Sequence, residues 1–91
     1  MEEKNVGAEL IASERARQIE IGYDGKHDHQ HPADEFMRAA MAYLYAALGR
    51  KEDAMAVWCW DKDYFKPRDV ERNLVKAGAL IAAAIDRQRE Q

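Results

Sequence analysis

The segment from Phe36 to Leu48 contains one charged residue, Arg38, in an otherwise uncharged and largely apolar stretch. A helix that is apolar on nearly every side is expected to lie at the centre of a domain or to be covered by a second subunit. Pro32 suits the first turn of such a helix, because its missing N–H costs nothing there, and Gly49 suits its C-terminal end. We therefore predict a central helix over this segment that its neighbours enclose completely.

Two further helices are predicted, one on each side of this segment. One runs from about Val6 to Gly22, and the other from about Val70 to Arg89 with Asp69 as its N-cap. The expected core faces are Ala8, Ala12, Ala16, Ile19 and Tyr23 on the former, and Val70, Leu74, Ala77, Gly78, Ile81 and Ile85 on the latter. Residues 50–68 form a tryptophan-rich connection with one helical turn near residues 52–57. The pattern predicts an all-α fold, a three-helix bundle with an irregular connection between its second and third helices.

Length and composition limit the possible partners. The 91 residues suffice for one domain, 1–91, whose core is small for a lone monomer. Hydrophobic residues at 47% and charged residues at 34% are typical of a globular chain. The apolar surplus of the central helix favours self-association, and a dimer is the simplest symmetric solution. The net charge of −3 argues against a nucleic-acid partner.

The location of the protein is predicted from cysteine use and from the lack of apolar leaders. Cys59 is the only cysteine, which suits a reducing interior. The start MEEKNVGAEL has no signal-peptide core, and the longest apolar run, Ala77 to Ile85, is too short to span a bilayer. We expect a soluble protein in the cytoplasm, with no membrane partner.

All three histidines lie in the stretch HDHQH, at positions 27, 29 and 31. Imidazole nitrogens and carboxylate oxygens are ligands of divalent transition metals. His27, Asp28 and His31 are therefore the candidate metal ligands, with Glu35 as a further candidate. The alternative is a solvated polar loop, since the stretch lacks the fixed helical spacing of an HExxH site.

A dense polar set occupies the middle of the first helix: Glu14, Arg15, Arg17 and Gln18. These side chains either pair with one another along a solvated helix face or, in the case of Glu14 and Gln18, point into a site beside the histidine stretch. That convergence is the first place where we expect a ligand.

The second place lies between Trp58 and Lys76. Aromatic residues are followed there by cations: Trp58, Trp60, Tyr64 and Phe65, then Lys66, Arg72 and Lys76. Aromatic faces beside cations suit a base and its phosphates. The alternative is that the tryptophans cover the end of a small core, with their N–H groups donating to carbonyls. Cys59 is expected to be a buried apolar residue and not a nucleophile.

Three long segments carry a resemblance: ERARQIEIGYDGKHDHQH, EFMRAAMAYLYAA and WCWDKDYFKPRDVERNLVKAGALIAAAIDR. Their ER-x-RQ, HD-x-x-H, tryptophan-rich KP and R-x-LVKAGALI motifs resemble a family of small proteins encoded by tailed phages and prophages. The resemblance covers about Glu9 to Arg87. It implies a phage or prophage origin, the host cytoplasm as location, and an accessory role without an assigned reaction. If the HD-x-x-H element is functional in such proteins, it maps to His27, Asp28 and His31.

Three classes of function remain. The favoured hypothesis is a non-enzymatic accessory module that binds a host protein or a small nucleotide-like ligand. The second is a metal-dependent nucleotide hydrolase that uses the histidine loop, although no E-x-x-E or E-x-x-D pair lies at a helix centre. The third is a DNA-binding regulator, against which the net charge and the long connection before the last helix both argue.

Overall fold

Four α-helices and one short 3₁₀ helix make up the part of the chain that the computed structural model describes, residues 5–21 and 31–90. The helices are α1 (Val6–Glu20), α2 (Ala33–Ala47), α3 (Lys51–Val57), the 3₁₀ helix (Lys62–Tyr64) and α4 (Val70–Arg89). These two ranges contain no strand, so the predicted all-α class is confirmed. There is one α-helix more than predicted, because the turn expected near residues 52–57 is a helix of seven residues.

The ends of the helices follow local chemistry. The Asp69 carboxylate accepts a hydrogen bond from the backbone N–H of Arg72 at 2.8 Å, which confirms it as the N-cap of α4. Gly49 ends α2 with a φ of 77°, in the left-handed region that favours glycine. Pro32 immediately precedes α2 in an extended conformation. No helix in the described ranges has the length and apolar composition that a membrane crossing requires.

The core lies mainly between α2 and α4, which run antiparallel. Arg87, near the end of α4, donates to the carbonyl of His31, just before α2 begins. Phe36 is the only large side chain of the described residues that is fully buried, and most other core positions are alanines. The alanines are Ala33, Ala39, Ala40, Ala42, Ala54, Ala77, Ala79, Ala83 and Ala84. Small side chains therefore allow α2 and α4 to approach closely.

The predicted core faces are wrong for α1 and for most of α4. Ala8, Ala12, Ala16 and Ile19 are exposed on α1, whereas Glu14 and Gln18 are buried. On α4 the buried face includes Asn73, Lys76, Ala77, Leu80 and Ala83, and the expected Val70, Leu74, Ile81 and Ile85 are exposed. Helical period alone identifies an apolar face but does not say which of two faces a neighbour covers.

The predicted complete enclosure of the central helix is also wrong for a single chain. Met37, Met41 and Leu44, on one face of α2, are 49%, 43% and 39% exposed. The opposite face, with Phe36 and Tyr43, is buried. The helix is therefore covered on one side only, although its composition is apolar on both.

Gly78 of α4 lies directly against Ile11 of α1. A Cβ built on this residue would lie 2.5 Å from Cδ1 and 2.8 Å from Cγ1 of Ile11. Real Cβ atoms are not found at such distances, so Ile11 packs directly over the glycine. Gly7 of α1 offers the opposite case, because nothing lies within 4 Å of the position that a Cβ would take there.

We expect Gly78→Ala to destabilise the protein by about 1 kcal/mol, because overpacking against Ile11 outweighs the gain in helix propensity. Gly7→Ala is the matched control and should stabilise by up to about 1 kcal/mol, since it gains propensity without a clash. Urea unfolding measures both. A Gly78→Ala protein stabilised as much as Gly7→Ala would contradict the close packing.

Candidate functional site

A buried carboxylate, that of Glu14, lies where α1 meets α4. Its side chain is 1% exposed. Arg17 donates to it from Nε at 2.8 Å and from an NH2 group at 2.7 Å, a two-point contact within α1. Arg72 of α4 forms a second ion pair with the same carboxylate. Two guanidinium groups thus satisfy a charge that burial alone would make costly.

Gln18 lies one turn further along the same face of α1 and is 4% exposed. Its Nε2 donates to Glu14 Oε2 at 3.3 Å. Its Oε1 is buried and accepts no hydrogen bond from any residue in the described ranges. Because a buried acceptor without a donor costs about 1–3 kcal/mol, a donor that reached this oxygen would be held there.

Lys76 faces this pair from α4. It is 8% exposed, its Nζ donates to the backbone carbonyl of Lys66 at 2.5 Å, and it lies 5.4 Å from the centre of the Tyr43 ring. Burial, followed by the positive charge of Arg72, lowers the pKa of Lys76. An ammonium group has three N–H donors, so Lys76 can donate to an acceptor in the space beside Gln18 and Glu14 while it holds the Lys66 carbonyl.

The charges around Glu14 and Lys76 shift the pKa values of both groups. Burial on its own raises the pKa of Glu14, yet the hydrogen bond and charge of Arg17, joined by the charge of Arg72, bring that pKa below its ordinary value. The pKa of Lys76 is also lowered, in part by the same arginines. Positive charge favours the carboxylate and disfavours the ammonium, so the arginines lower both pKa values, although burial is the main cause for Lys76.

These residues surround a pocket with a volume of about 290 Å³. Helix α1 forms one wall and α4 a second, while the tryptophan-rich connection closes the third. The lining residues are Glu14, Arg17, Gln18, Ile21, Tyr43, Trp58, Tyr64, Lys66, Lys76 and Leu80. Three cations and one carboxylate therefore meet three aromatic rings in one concave space.

The connection is fixed to the helices by its own backbone. The Tyr43 hydroxyl accepts from the N–H of Lys66 at 2.9 Å. Asn73 makes two bonds with Arg68: its Oδ1 accepts from the backbone N–H at 2.6 Å, and its Nδ2 donates to the carbonyl at 3.0 Å. Trp58 packs against Phe65 with ring centroids 4.8 Å apart. Contacts within the chain therefore hold Tyr43 and Trp58 of the pocket lining in place.

Glu35 belongs to a separate cluster. Its Oε1 accepts from the indole N–H of Trp60 at 2.8 Å and lies 3.0 Å from Nδ1 of His31. The Trp60 hydrogen bond is the main reason why the pKa of Glu35 is lowered. The rings of His31 and Trp60 pack with centroids 4.9 Å apart. Neither Glu35 nor Trp60 lines the Glu14 pocket, although sequence reasoning named them among the same ligand candidates.

The metal site predicted on the histidine stretch falls largely outside the described residues. His27 and Asp28 lie there, and only His31 of that set is described. Within residues 5–21 and 31–90, no three histidine, cysteine or acidic side chains come together as metal ligands. The convergence of the histidine loop with Glu14 and Gln18 concerns the same stretch and stays a prediction.

Cys59 is exposed, so the expectation that it is a buried apolar residue is wrong. Its thiol lies 3.6 Å from the backbone carbonyl of Glu35, to which it donates. Burial of part of the group and the nearby carboxylate of Glu35 raise its pKa. A raised pKa disfavours the thiolate, which is the nucleophilic form.

The structure thus merges two sets of candidates that the sequence kept apart. Glu14 and Gln18, from the first expected place, meet Trp58, Lys66 and Lys76, from the second. Arg72 contributes by holding the Glu14 carboxylate. The expectation that Glu14 and Gln18 lie on a solvated face is wrong for both, while Arg17 does pair with Glu14 as that alternative proposed.

Sequence reasoning missed Tyr43, Asn73 and Leu80. A signal was present on α4, where Asn73, Lys76 and Leu80 follow one another at three- and four-residue steps and share a face. An asparagine and a lysine on one face read as solvated, and only the position of the connection makes that face an interior one.

Comparisons with known proteins give no relative. The chain matches no protein-family model, no curated protein and no solved structure.

We expect Glu14→Gln to lower the free energy of unfolding at pH 7 by about 1–3 kcal/mol, because it leaves Arg17 and Arg72 without their shared carboxylate. Partial exposure of both arginines keeps the cost at this level. Glu20→Gln, at an exposed position on the same helix, is the matched control and should cost little.

The difference between the wild type and Glu14→Gln should depend on pH. Since the pKa of Glu14 is lower in the folded state, its stabilisation is complete above the unfolded-state pKa of about 4.3 and is lost as the pH falls through the folded-state pKa. Urea unfolding from pH 7 to pH 3 should show the two proteins converge. A difference that persists unchanged to pH 3 would contradict the depressed pKa.

Proposed function

We propose that the protein is a non-enzymatic accessory module of phage or prophage type, acting in the host cytoplasm, that binds a small nucleotide-like anion in the Glu14 pocket. The supporting observation is the combination of excess positive charge and aromatic rings in one concave space. A nucleotide presents an aromatic base and an anionic phosphate, which are the two chemistries that this lining complements.

Charge supports the anionic part of the ligand. Arg17, Lys66 and Lys76 line the pocket against the single carboxylate of Glu14, and Arg72 adds a further cation beside it. An anion near Lys76 would relieve the repulsion between that ammonium and the arginines. It would therefore bind while raising the pKa of Lys76 toward its ordinary value.

Size and hydrogen bonding support the aromatic part. The 290 Å³ volume lies just below the usual range of about 300–1,000 Å³ for small-molecule sites, so the pocket has room for a small ligand and not for a polymer. Trp58 and Tyr64 supply aromatic side chains on the wall that the connection forms. The Oε1 of Gln18, which accepts no hydrogen bond among the described residues, supplies an acceptor for an N–H group of a base.

The two alternatives have less support. The metal-dependent hydrolase would use His27 and Asp28, which lie outside the described residues, so its ligand set stays a prediction. The long connection before the last helix disfavours a DNA-binding regulator. The structure adds a shorter pair, α2 and α3, separated by residues 48–50, but α3 begins with Lys51, Glu52 and Asp53 and offers no basic face.

Binding is tested by titration calorimetry with mononucleotides and cyclic nucleotides of each base. Nucleosides and inorganic phosphate, each of which carries only one part of a nucleotide, serve as comparison ligands. We expect a nucleotide to bind more tightly than its nucleoside or inorganic phosphate. We also expect its affinity to fall as the salt concentration increases. Lys76→Met should weaken binding by at least about tenfold, whereas Lys51→Met, on α3 and outside the pocket, should leave it unchanged.

The two tryptophans provide a second measurement. Trp58 lines the pocket and Trp60 does not, so a stacked base should quench fluorescence in Trp60→Phe and leave Trp58→Phe unresponsive. Binding that is unaffected by Lys76→Met, or the failure of every nucleotide at millimolar concentration, would refute the proposal. Release of phosphate or pyrophosphate from bound nucleotides with Mg²⁺ or Mn²⁺ would establish the hydrolase alternative instead.

A further inference from the structure

A long apolar groove lies on the face of α2 and α4 that points away from the Glu14 pocket. One ridge consists of Met37, Met41 and Leu44 on α2, and the other of Ile81 and Ile85 on α4. Ala40 and Ala84 form the floor between the ridges. The groove and the Glu14 pocket share no lining residue, so whatever covers the groove leaves the pocket open.

Many large aliphatic side chains of α2 and α4 lie outside the core. The buried positions are mostly alanines, with Phe36, Tyr43 and Leu80 as larger members, whereas the methionines and isoleucines of the groove are exposed. Ile81 and Ile85 are 46% and 54% exposed, and Leu48, one turn beyond Leu44, is 70% exposed. A chain that keeps its largest aliphatic side chains in water forgoes much of the burial that stabilises a small domain.

We infer that a second copy of this chain docks in this groove, so that α2 and α4 of the two copies form one four-helix layer. The groove has the shape that self-pairing needs, since each copy offers two ridges of large side chains and a floor of alanines between them. Rotation about a two-fold axis places a ridge of one copy over the floor of the other. The groove is then self-complementary under the two-fold axis.

Charge and area favour a second copy over a foreign partner. Among the residues that line the groove only Arg89, at its end, is charged. Permanent homodimer interfaces have such apolar centres, whereas surfaces for transient partners carry more charge. The five exposed side chains on the two ridges, together with Leu48, leave on the order of 500 Å² of apolar surface per chain. A symmetric pair therefore buries on the order of 1,000 Å² from these residues alone, which is about the minimum for a specific interface.

The proposal is tested by sedimentation equilibrium and by light scattering after gel filtration, on the whole chain without ligand. We expect a dimer of the wild type at roughly 100 µM chain, dissociating on dilution. Met41→Glu should be monomeric with unchanged helical circular dichroism, because that side chain is 43% exposed in one chain. Met55→Glu on α3 is the matched control: at 41% exposure outside the groove, it should remain dimeric.

Cross-linking tests whether the groove is the dimer interface without introducing a charged residue into it. In a Cys59→Ser background, Met41→Cys should be joined to a second copy by a short bismaleimide, whereas Met55→Cys should not. A monomeric wild type at that concentration, a Met41→Glu protein that stays dimeric, or cross-linking at position 55 and not at 41 would each overturn the inference. Nucleotide binding by Met41→Glu should equal that of the wild type, so failure of the dimer and failure of the pocket are distinguishable.

Discussion

The buried ion pairs of Glu14 are the interaction that most constrains the position of α1 on α4. The helix also contacts α4 through Ile11 over Gly78 and through an ion pair of 3.4 Å between Arg15 and Asp86, while its alanine face is exposed. The carboxylate of Glu14 links a guanidinium of its own helix to one of α4. A buried charge is tolerated only when its partners are in place, so this link also fixes the relative register of the two helices.

The same link creates the pocket. With Glu14 paired to two arginines, the cations that line the space beside it outnumber its one carboxylate. The Glu14 carboxylate thus joins α1 to α4 and also lines the pocket.

Local signals in the sequence predicted much of the fold. The end of α2 at Gly49 and the Asp69 cap of α4 depend on neighbouring residues only, and both were predictable. The choice of buried face was not. On α4 the apolar stripe through Ile81 and Ile85 satisfied the helical period, but the opposite face, through Lys76 and Leu80, is the one that other elements cover. Tertiary placement of the connection decided between them.

The candidate site was predictable in its parts and not in its assembly. Glu14 and Gln18 share a helix face by spacing, and Trp58 precedes a run of cations, both of which are sequence facts. That the two groups adjoin depends on hydrogen bonds such as that between Tyr43 and Lys66, which are remote in sequence. Contacts between residues remote in sequence produce no periodic pattern in the sequence, so they could not be predicted from it.

The bond from Lys76 to the Lys66 carbonyl has a consequence for communication through the molecule. The Lys76 ammonium group lines the pocket and donates to the carbonyl of Lys66. Lys66 begins a strip of main chain, residues 66–68, in which every residue is exposed. One side chain of α4 therefore ties this exposed strip to the lining of the Glu14 pocket, so the two cannot shift independently while the hydrogen bond is kept.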